Sequence, residues 1–534
     1  MVTERVMAGV VGFLWIAGGC AFFGERNWDS QEQPEAVAPP AIRQLVNRVF
    51  GPQKEPDSSG IDITYPYHEA VFPPEIAPPT FTWKDHTGMS RRWLVAVSFS
   101  EGRKPFYSVV DDPSWTPERS AWEKLKAGST RGVARFSVVG LADYPEGKVT
   151  AKKTVHFQTS TDRVDAAVFY RQVPLPFLAT PEGFAKTKWR LGDIAAEEPP
   201  TVVMSGLPFC ASCHLFSRDG TRFSMEMNYR NDGGAQVIKR VGREMVLTAE
   251  DFMTWSDFPK PGILPATRGL FGRMSPSGDY MAASVHEISY AALIDDIAFS
   301  QLFFPTYGVL AVYNVKEKKI RLLPGADDYS AVQADPNWSP DERHILFARA
   351  PVRNDVHTDI GNVAPHRVDG DIHEMNRRYS IQFDLYRIPF NQGKGGKAVP
   401  VEGASGNGMS NYFARYSPDG RWIVFTRSRS GIMLQPDSEL YIIPAEGGQA
   451  RKMRCNRETF NSWHSWSPNG RWLLFSSKVN TPYTEIFLTH VDENGMDTPP
   501  VLLSRFSDPQ YAANVPEFAP IAANAIRSIR LGDP

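Results

Sequence analysis

Residues Ala414–Arg427 read ARYSPDGRWIVFTR, and this string decides the fold. One apolar strand enters Ser417-Pro418-Asp419-Gly420 and a second, beginning at Trp422, leaves it. Proline in the second place pre-sets φ, aspartate follows, and glycine takes the left-handed conformation that closes a hairpin. The same pattern recurs at CHLFSRDGTRFSM (Cys213–Met225), FGRMSPSGDYMAAS (Phe271–Ser284), PNWSPDERHILFAR (Pro336–Arg349) and HSWSPNGRWLLFSS (His464–Ser477). The motif serines Ser217, Ser275, Ser339, Ser417 and Ser467 are 58, 64, 78 and 50 residues apart. Repetition at about 40 to 50 residues marks a β-propeller, and the longer intervals predict insertions between strands. Outer strands are supplied by stretches such as FDLYRIPF (Phe383–Phe390) and LYIIPA (Leu440–Ala445). The expected ring has six blades, five carrying the motif and one of divergent sequence.

The first copy carries a second signal. Phe209–Gly220 reads FCASCHLFSRDG, so Cys210-Ala211-Ser212-Cys213-His214 is a C-x-x-C-H string, the attachment pattern of a c-type haem. Cys210 and Cys213 would form thioethers to one porphyrin, and His214 would be the proximal ligand of the haem iron. With 4 Cys and 11 His in 534 residues, such a string arises by chance about once in a thousand chains. Three other readings stand beside it: a disulfide or redox pair, zinc ligation with His214, or plain buried thiols. For a sixth iron ligand, Met225 sits on the pairing strand, which puts it on the same side of the ring as His214. His464 occupies in the last copy the place that His214 holds in the first, and could reach from another blade; its simpler role is to buttress Trp463 and Trp466.

Upstream, Ala8–Gly19 is a short apolar run after Arg5, an export signal over residues 1–20. Cys20 closes Ala17-Gly18-Gly19-Cys20, which is similar to a bacterial lipobox except that Ala17 stands where leucine is usual; lipidation at Cys20 and simple cleavage both remain open. Residues 21–60, rich in Pro, Glu, Gln and Ser, read as a flexible tether. Residues 61–165 hold short alternating runs, among them TFTW (Thr80–Trp83), WLVAVSF (Trp93–Phe99) and ARFSVVG (Ala134–Gly140). These predict an immunoglobulin- or fibronectin-like β-sandwich. Residues 166–205 read as a connector, because VFYRQVPLPF (Val168–Phe177) is broken by proline, and 206–534 as the propeller. A His- and Asp-rich insertion over 353–375, with His357, His366 and His373, is a weak divalent-metal candidate without helical ligand spacing.

The serine turns resemble the PD40 repeats of TolB-like β-propellers over about residues 206–534. The combination of VFYRQVPLPF, CASCHLFSRDG, SQLFFP (Ser300–Pro305), LPGADD (Leu323–Asp328), NSWHSWSPNGRW (Asn461–Trp472) and NVPEF (Asn514–Phe518) is similar to a group of exported bacterial TolB-like proteins carrying a single C-x-x-C-H in the first blade. That resemblance implies an exported protein of a Gram-negative bacterium, periplasmic or associated with the outer membrane, touching the membrane through its amino-terminal anchor alone. Its partners would be envelope redox or Tol-like proteins. One covalent haem c would make it an electron-transfer or docking protein; without haem it is an envelope module for binding proteins or glycans, with structural cysteines. A net charge of −2 and pI near 6.6 argue against nucleic acid as partner. The sequence shows no phosphate loop, nucleophile elbow or zincin motif, hence no expected hydrolase or transferase.

Overall fold

The computed structural model describes residues 40–50, 58–100, 104–143, 148–176, 180–259, 267–293, 296–299, 301–352, 366–367, 372–378 and 380–532. The export segment with Cys20, and most of the 353–375 insertion, lie outside them.

From residue 167 onward the described chain is organised as six sheets, each with four strands in succession, and a two-stranded sheet of Glu244–Leu247 and Ser528–Leu531. Sheet I contains Tyr511–Ala519, Ala167–Pro174, Lys188–Gly192 and Thr201–Ser205; sheet II contains Ala211–Phe216, Arg222–Met227, Ala235–Arg240 and Phe252–Thr254. Sheet III contains Arg273–Met274, Tyr280–Leu293, Gln301–Asn314 and Lys319–Leu322, with His366–Arg367 added along its second strand. Sheet IV contains Ala331–Trp338, His344–Pro351, Asp384–Pro389 and Val399–Pro400. Sheet V contains Ser410–Tyr416, Trp422–Ser428, Glu439–Pro444 and Arg451–Lys452; sheet VI contains Asn461–Trp466, Trp472–Ser477, Glu485–His490 and Val501–Leu502. The first-named strands touch in the order II, III, IV, V, VI, I and back to II. They therefore surround a central bore, the arrangement of a β-propeller.

Two expectations change here. Residues 166–205 are not a connector, because they supply three strands of sheet I. The prolines that demoted VFYRQVPLPF fall at the end of its strand, which stops at Pro174 and is paired on both sides before that. Residues 40–50 of the expected tether form helix α1, Pro40–Phe50, which buries Leu45 and Val49 against Leu94, Val139 and Leu141. Its helical recurrence of Leu45, Val46, Val49 and Phe50 was diluted by polar flanks.

The motif serine is explained by its turn. Ser217, Ser339, Ser417 and Ser467 are buried. Each hydroxyl donates to the Asp or Asn two residues on, at 2.5–2.6 Å, and accepts the N–H five residues on, at 2.9–3.0 Å. Gly220 has φ of +69°, and a Cβ there would lie 2.5 Å from the carbonyl oxygen of Pro520, so no other residue fits this turn.

Ahead of the ring, a sheet of Ile61–Tyr65, Phe81–Asp85 and Ser114–Trp115 faces one of Ala70–Phe72, Val149–Thr159, Ala134–Leu141, Arg92–Phe99 and Phe106–Val110. They share a core of Phe72, Phe81, Trp83, Phe136 and Phe157, which Trp122 of helix α2 (Arg119–Ser129) completes. That core runs on into sheet VI through Trp472, Leu474, Ile486 and Leu488. Trp472 is fully buried there and donates its indole N–H to the Asp162 carbonyl at 3.0 Å. Trp472→Ala should lower unfolding stability by about 3 kcal/mol through the cavity it leaves. A urea titration would check this, and a loss below about 0.5 kcal/mol would show that the contact is not formed in solution.

Candidate functional site

The innermost strands of sheets I, II, IV, V and VI share one irregularity: each is bulged at the same place, between Asn514 and Glu517, Ala211 and His214, Ala334 and Asn337, Tyr412 and Arg415, and Ser462 and Ser465. A bulge places two residues opposite one and re-aims a side chain. Asp335, Phe413, Trp463 and Val515 take positive φ there, as Phe271 does in sheet III. In sheet II the corresponding residue is Cys213.

Cys213 packs with Phe271, Phe413 and Trp463 in one apolar cluster at the bore. His214, the next residue, leaves the strand on another side. It lies directly opposite Met225, is fully buried, and meets the Phe169 ring of sheet I edge-on at 4.6 Å. Neither imidazole nitrogen has a hydrogen-bond partner. Burial, countered slightly by backbone groups of Phe169 and Ser212, pulls its pKa down to about 3 and leaves the ring neutral. Burial pushes both thiols up, Cys210 and Cys213, so neither is a thiolate at neutral pH.

A c-type haem requires both sulfurs and the imidazole at one porphyrin. The unpartnered nitrogens of His214 suit a ligand. Cys213 packs among the bore residues while His214 lies against Phe169, so attaching one porphyrin to all three would require residues 210–214 to rearrange. Among the described residues no three His, Cys, Asp or Glu side chains gather to hold a metal ion. Met225 is the register partner of His214 on the next strand, so its side chain shares the imidazole's face of the sheet. His464 is not brought to His214: its Nε2–H donates to the Val424 carbonyl at 3.0 Å. It faces sheet V just as His214 faces sheet I, each toward the preceding sheet. Of the insertion histidines, His373 is exposed on the helix Ile372–Arg378, His366 lies in the short strand added to sheet III, and His357 falls outside the described residues.

The bore itself is closed and then charged. Phe271 and Phe413 come from sheets III and V, which sheet IV separates, yet their ring centroids are 5.7 Å apart. Beside this aromatic contact lie Arg273, Arg415 and Glu517, each two residues past a bulge position, together with Asp335. Arg415 Nη1 is 3.6 Å from Asp335 Oδ1. Glu226 accepts from Ser212 Oγ at 2.7 Å and from the Gly272 N–H at 2.8 Å. Burial raises the carboxyl groups of Glu226, Asp335 and Glu517, and lowers Arg415 to about 10. Sequence reasoning missed this cluster. Its signal was an arginine two places before the motif serine, at Arg273 and Arg415, inside otherwise apolar strands.

No protein-family model matches the chain. It is 23% identical over 221 residues to an uncharacterized protein of Agrobacterium fabrum, an alignment covering 40% of this chain and 69% of that protein. Among solved structures, TolB from Acinetobacter baumannii aligns over 76% of this chain and 86% of its own at 12% identity, with a TM-score of 0.39. An oligogalacturonate lyase from Vibrio parahaemolyticus aligns over 62% and 93% at 9% identity, with a TM-score of 0.30. At such scores the propeller assignment rests on the order and contacts of the sheets.

Proposed function

We propose that this chain is an exported cell-envelope interaction module: a TolB-like propeller of six blades behind an immunoglobulin-like sandwich. The observation that carries the reading is the Phe271–Phe413 contact. Aromatic rings from non-adjacent sheets meet inside the bore, so a macromolecular partner meets the faces of the ring instead of passing through it. Closure by Tyr511–Ala519 supports the six-blade count. The amino-terminal sheets support the sandwich, since Ile61–Tyr65 with Phe81–Asp85 and Arg92–Phe99 with Ala134–Leu141 pair antiparallel in two sheets over one core. Export rests on residues 1–20; among the described residues no helix is long and apolar enough to cross a membrane.

Ile297, 46% exposed between the two long strands of sheet III, is the side chain to test. Tagged protein cross-linked in the envelope fraction should enrich a protein partner, and Ile297→Asp should cut that recovery about ten-fold at unchanged melting temperature. No protein enriched over an untagged control would end this reading.

The unpartnered nitrogens of His214 favour a second reading, covalent haem c on Cys210 and Cys213 with His214 as iron ligand. When bound, that group would supply one-electron transfer. A pyridine haemochrome spectrum after export in a host with c-type maturation decides it. About one haem per chain, absent from Cys213→Ala, supports it; a folded, exported protein without haem removes it.

A further inference from the structure

We propose that the bore beside the Phe271–Phe413 contact is a binding site for a small zwitterion, of the class of free α-amino acids and short peptides. Asp335 is 2% exposed and neither of its carboxylate oxygens has a hydrogen-bond partner. The Nε–H of Arg273, on the adjacent sheet, is also buried without a partner. Buried polar groups in folded proteins are nearly always satisfied, so an acceptor and a donor left open together point to something that satisfies both. Glu226 does not compete, being engaged by Ser212 and Gly272.

Arg273, Asn337, Arg415 and Glu517 stand on innermost strands and keep partial exposure. A ligand carboxylate there matches the guanidinium groups of Arg273 and Arg415, and a ligand ammonium matches Asp335 and Glu517. An anion alone would leave both Asp335 oxygens without a hydrogen bond, Arg415 standing 3.6 Å away, and a cation alone would leave the Arg273 Nε–H without an acceptor. A ligand carrying both charges pairs each group and adds no net charge to a site where unpaired charge is costly. A cavity of about 550 Å³ lies at the serine turns, between Arg218, Pro276 and Pro340 of three successive sheets.

The test is isothermal titration of the full exported chain with four probes: glycine, glycylglycine, acetate and methylammonium. At least one zwitterion should bind, with acetate and methylammonium each at least ten-fold weaker. Asp335→Asn, which keeps shape, and Arg273→Lys, which keeps charge but loses the planar donor fork, should each weaken the zwitterion at least ten-fold. Binding of neither zwitterion, acetate binding as tightly as glycine, or unchanged affinity in both folded variants would overturn the proposal. If the variants do not fold, the comparison of four probes on the wild-type chain still decides it.

Discussion

A His214→Leu variant is expected to be at least as stable as the wild type at pH 7, and about 3 kcal/mol more stable relative to it near pH 4. The first half follows from the hydrogen-bond inventory. Leucine has nearly the volume of histidine, and the imidazole nitrogens make no well-aligned hydrogen bond that leucine would lose, only weak contacts with backbone groups of Phe169 and Ser212. The second half is proton linkage. In the folded chain burial holds the His214 pKa down to about 3, against an ordinary value of 6.5. Between those values the unfolded chain binds a proton that the folded chain refuses, so the wild type loses stability as pH falls from 6.5 toward 3, and the variant lacks that loss. His464, also lowered to about 3, behaves in the same sense but keeps its bond to Val424, so His464→Leu should cost about 1 kcal/mol at pH 7.

Glu287, raised to about 8 by burial, works in the opposite sense. Its folded carboxyl keeps a proton that the unfolded chain releases above 4.5, so that contribution erodes as pH climbs toward 8. Absolute profiles mix the two, and the difference between wild type and His214→Leu isolates the histidine. Urea titrations of both chains from pH 4 to pH 8 provide the check. A variant several kcal/mol weaker at pH 7 would mean that His214 has a partner in solution, which is what bound haem predicts; equal acid sensitivity would mean that the ring is not buried.

The serine turns announced the ring because turn chemistry is local. Pro418 and Gly420 fix dihedral angles whatever surrounds them, so five hairpins could be placed from five strings. A sixth blade of divergent sequence was expected, but its strands could not be placed, because sheet I joins residues 167–205 to 511–519 and no local pattern links strands so far apart. The motif Cys210–His214 was read correctly as entering a strand turn. The sides taken by Cys213 and His214, however, depend on a bulge between Ala211 and His214 that spacing does not encode. The ion cluster was invisible for a related reason. Arg273, Asp335, Arg415 and Glu517 lie on four different sheets, and only closure of the ring brings them to one bore.

Deleting residues 510–534 should abolish the native fold, because that segment completes the ring at both ends of its first and second sheets. Without Tyr511–Ala519, the strand Ala167–Pro174 loses its inner partner along the register from Tyr511↔Pro174 to Ala519↔Ala167. A row of backbone groups inside the protein is then unpaired, and each costs about 1 to 3 kcal/mol. Phe518 and Ala513 leave the core shared with sheet VI, and Glu517 leaves the bore beside Arg273 and Arg415. The tail also carries Ser528–Leu531, parallel to Glu244–Leu247, with Ile529 buried. These losses together exceed the roughly 5 to 15 kcal/mol by which a domain is held folded. The truncated chain should therefore lose its cooperative urea transition, and a synthetic peptide of residues 507–534 added in trans should restore it. Removing residues 527–534 alone should cost only a few kcal/mol, since the inner strand remains. A chain ending at residue 509 that still unfolds cooperatively near the wild-type midpoint would show that the ring does not need this strand to close.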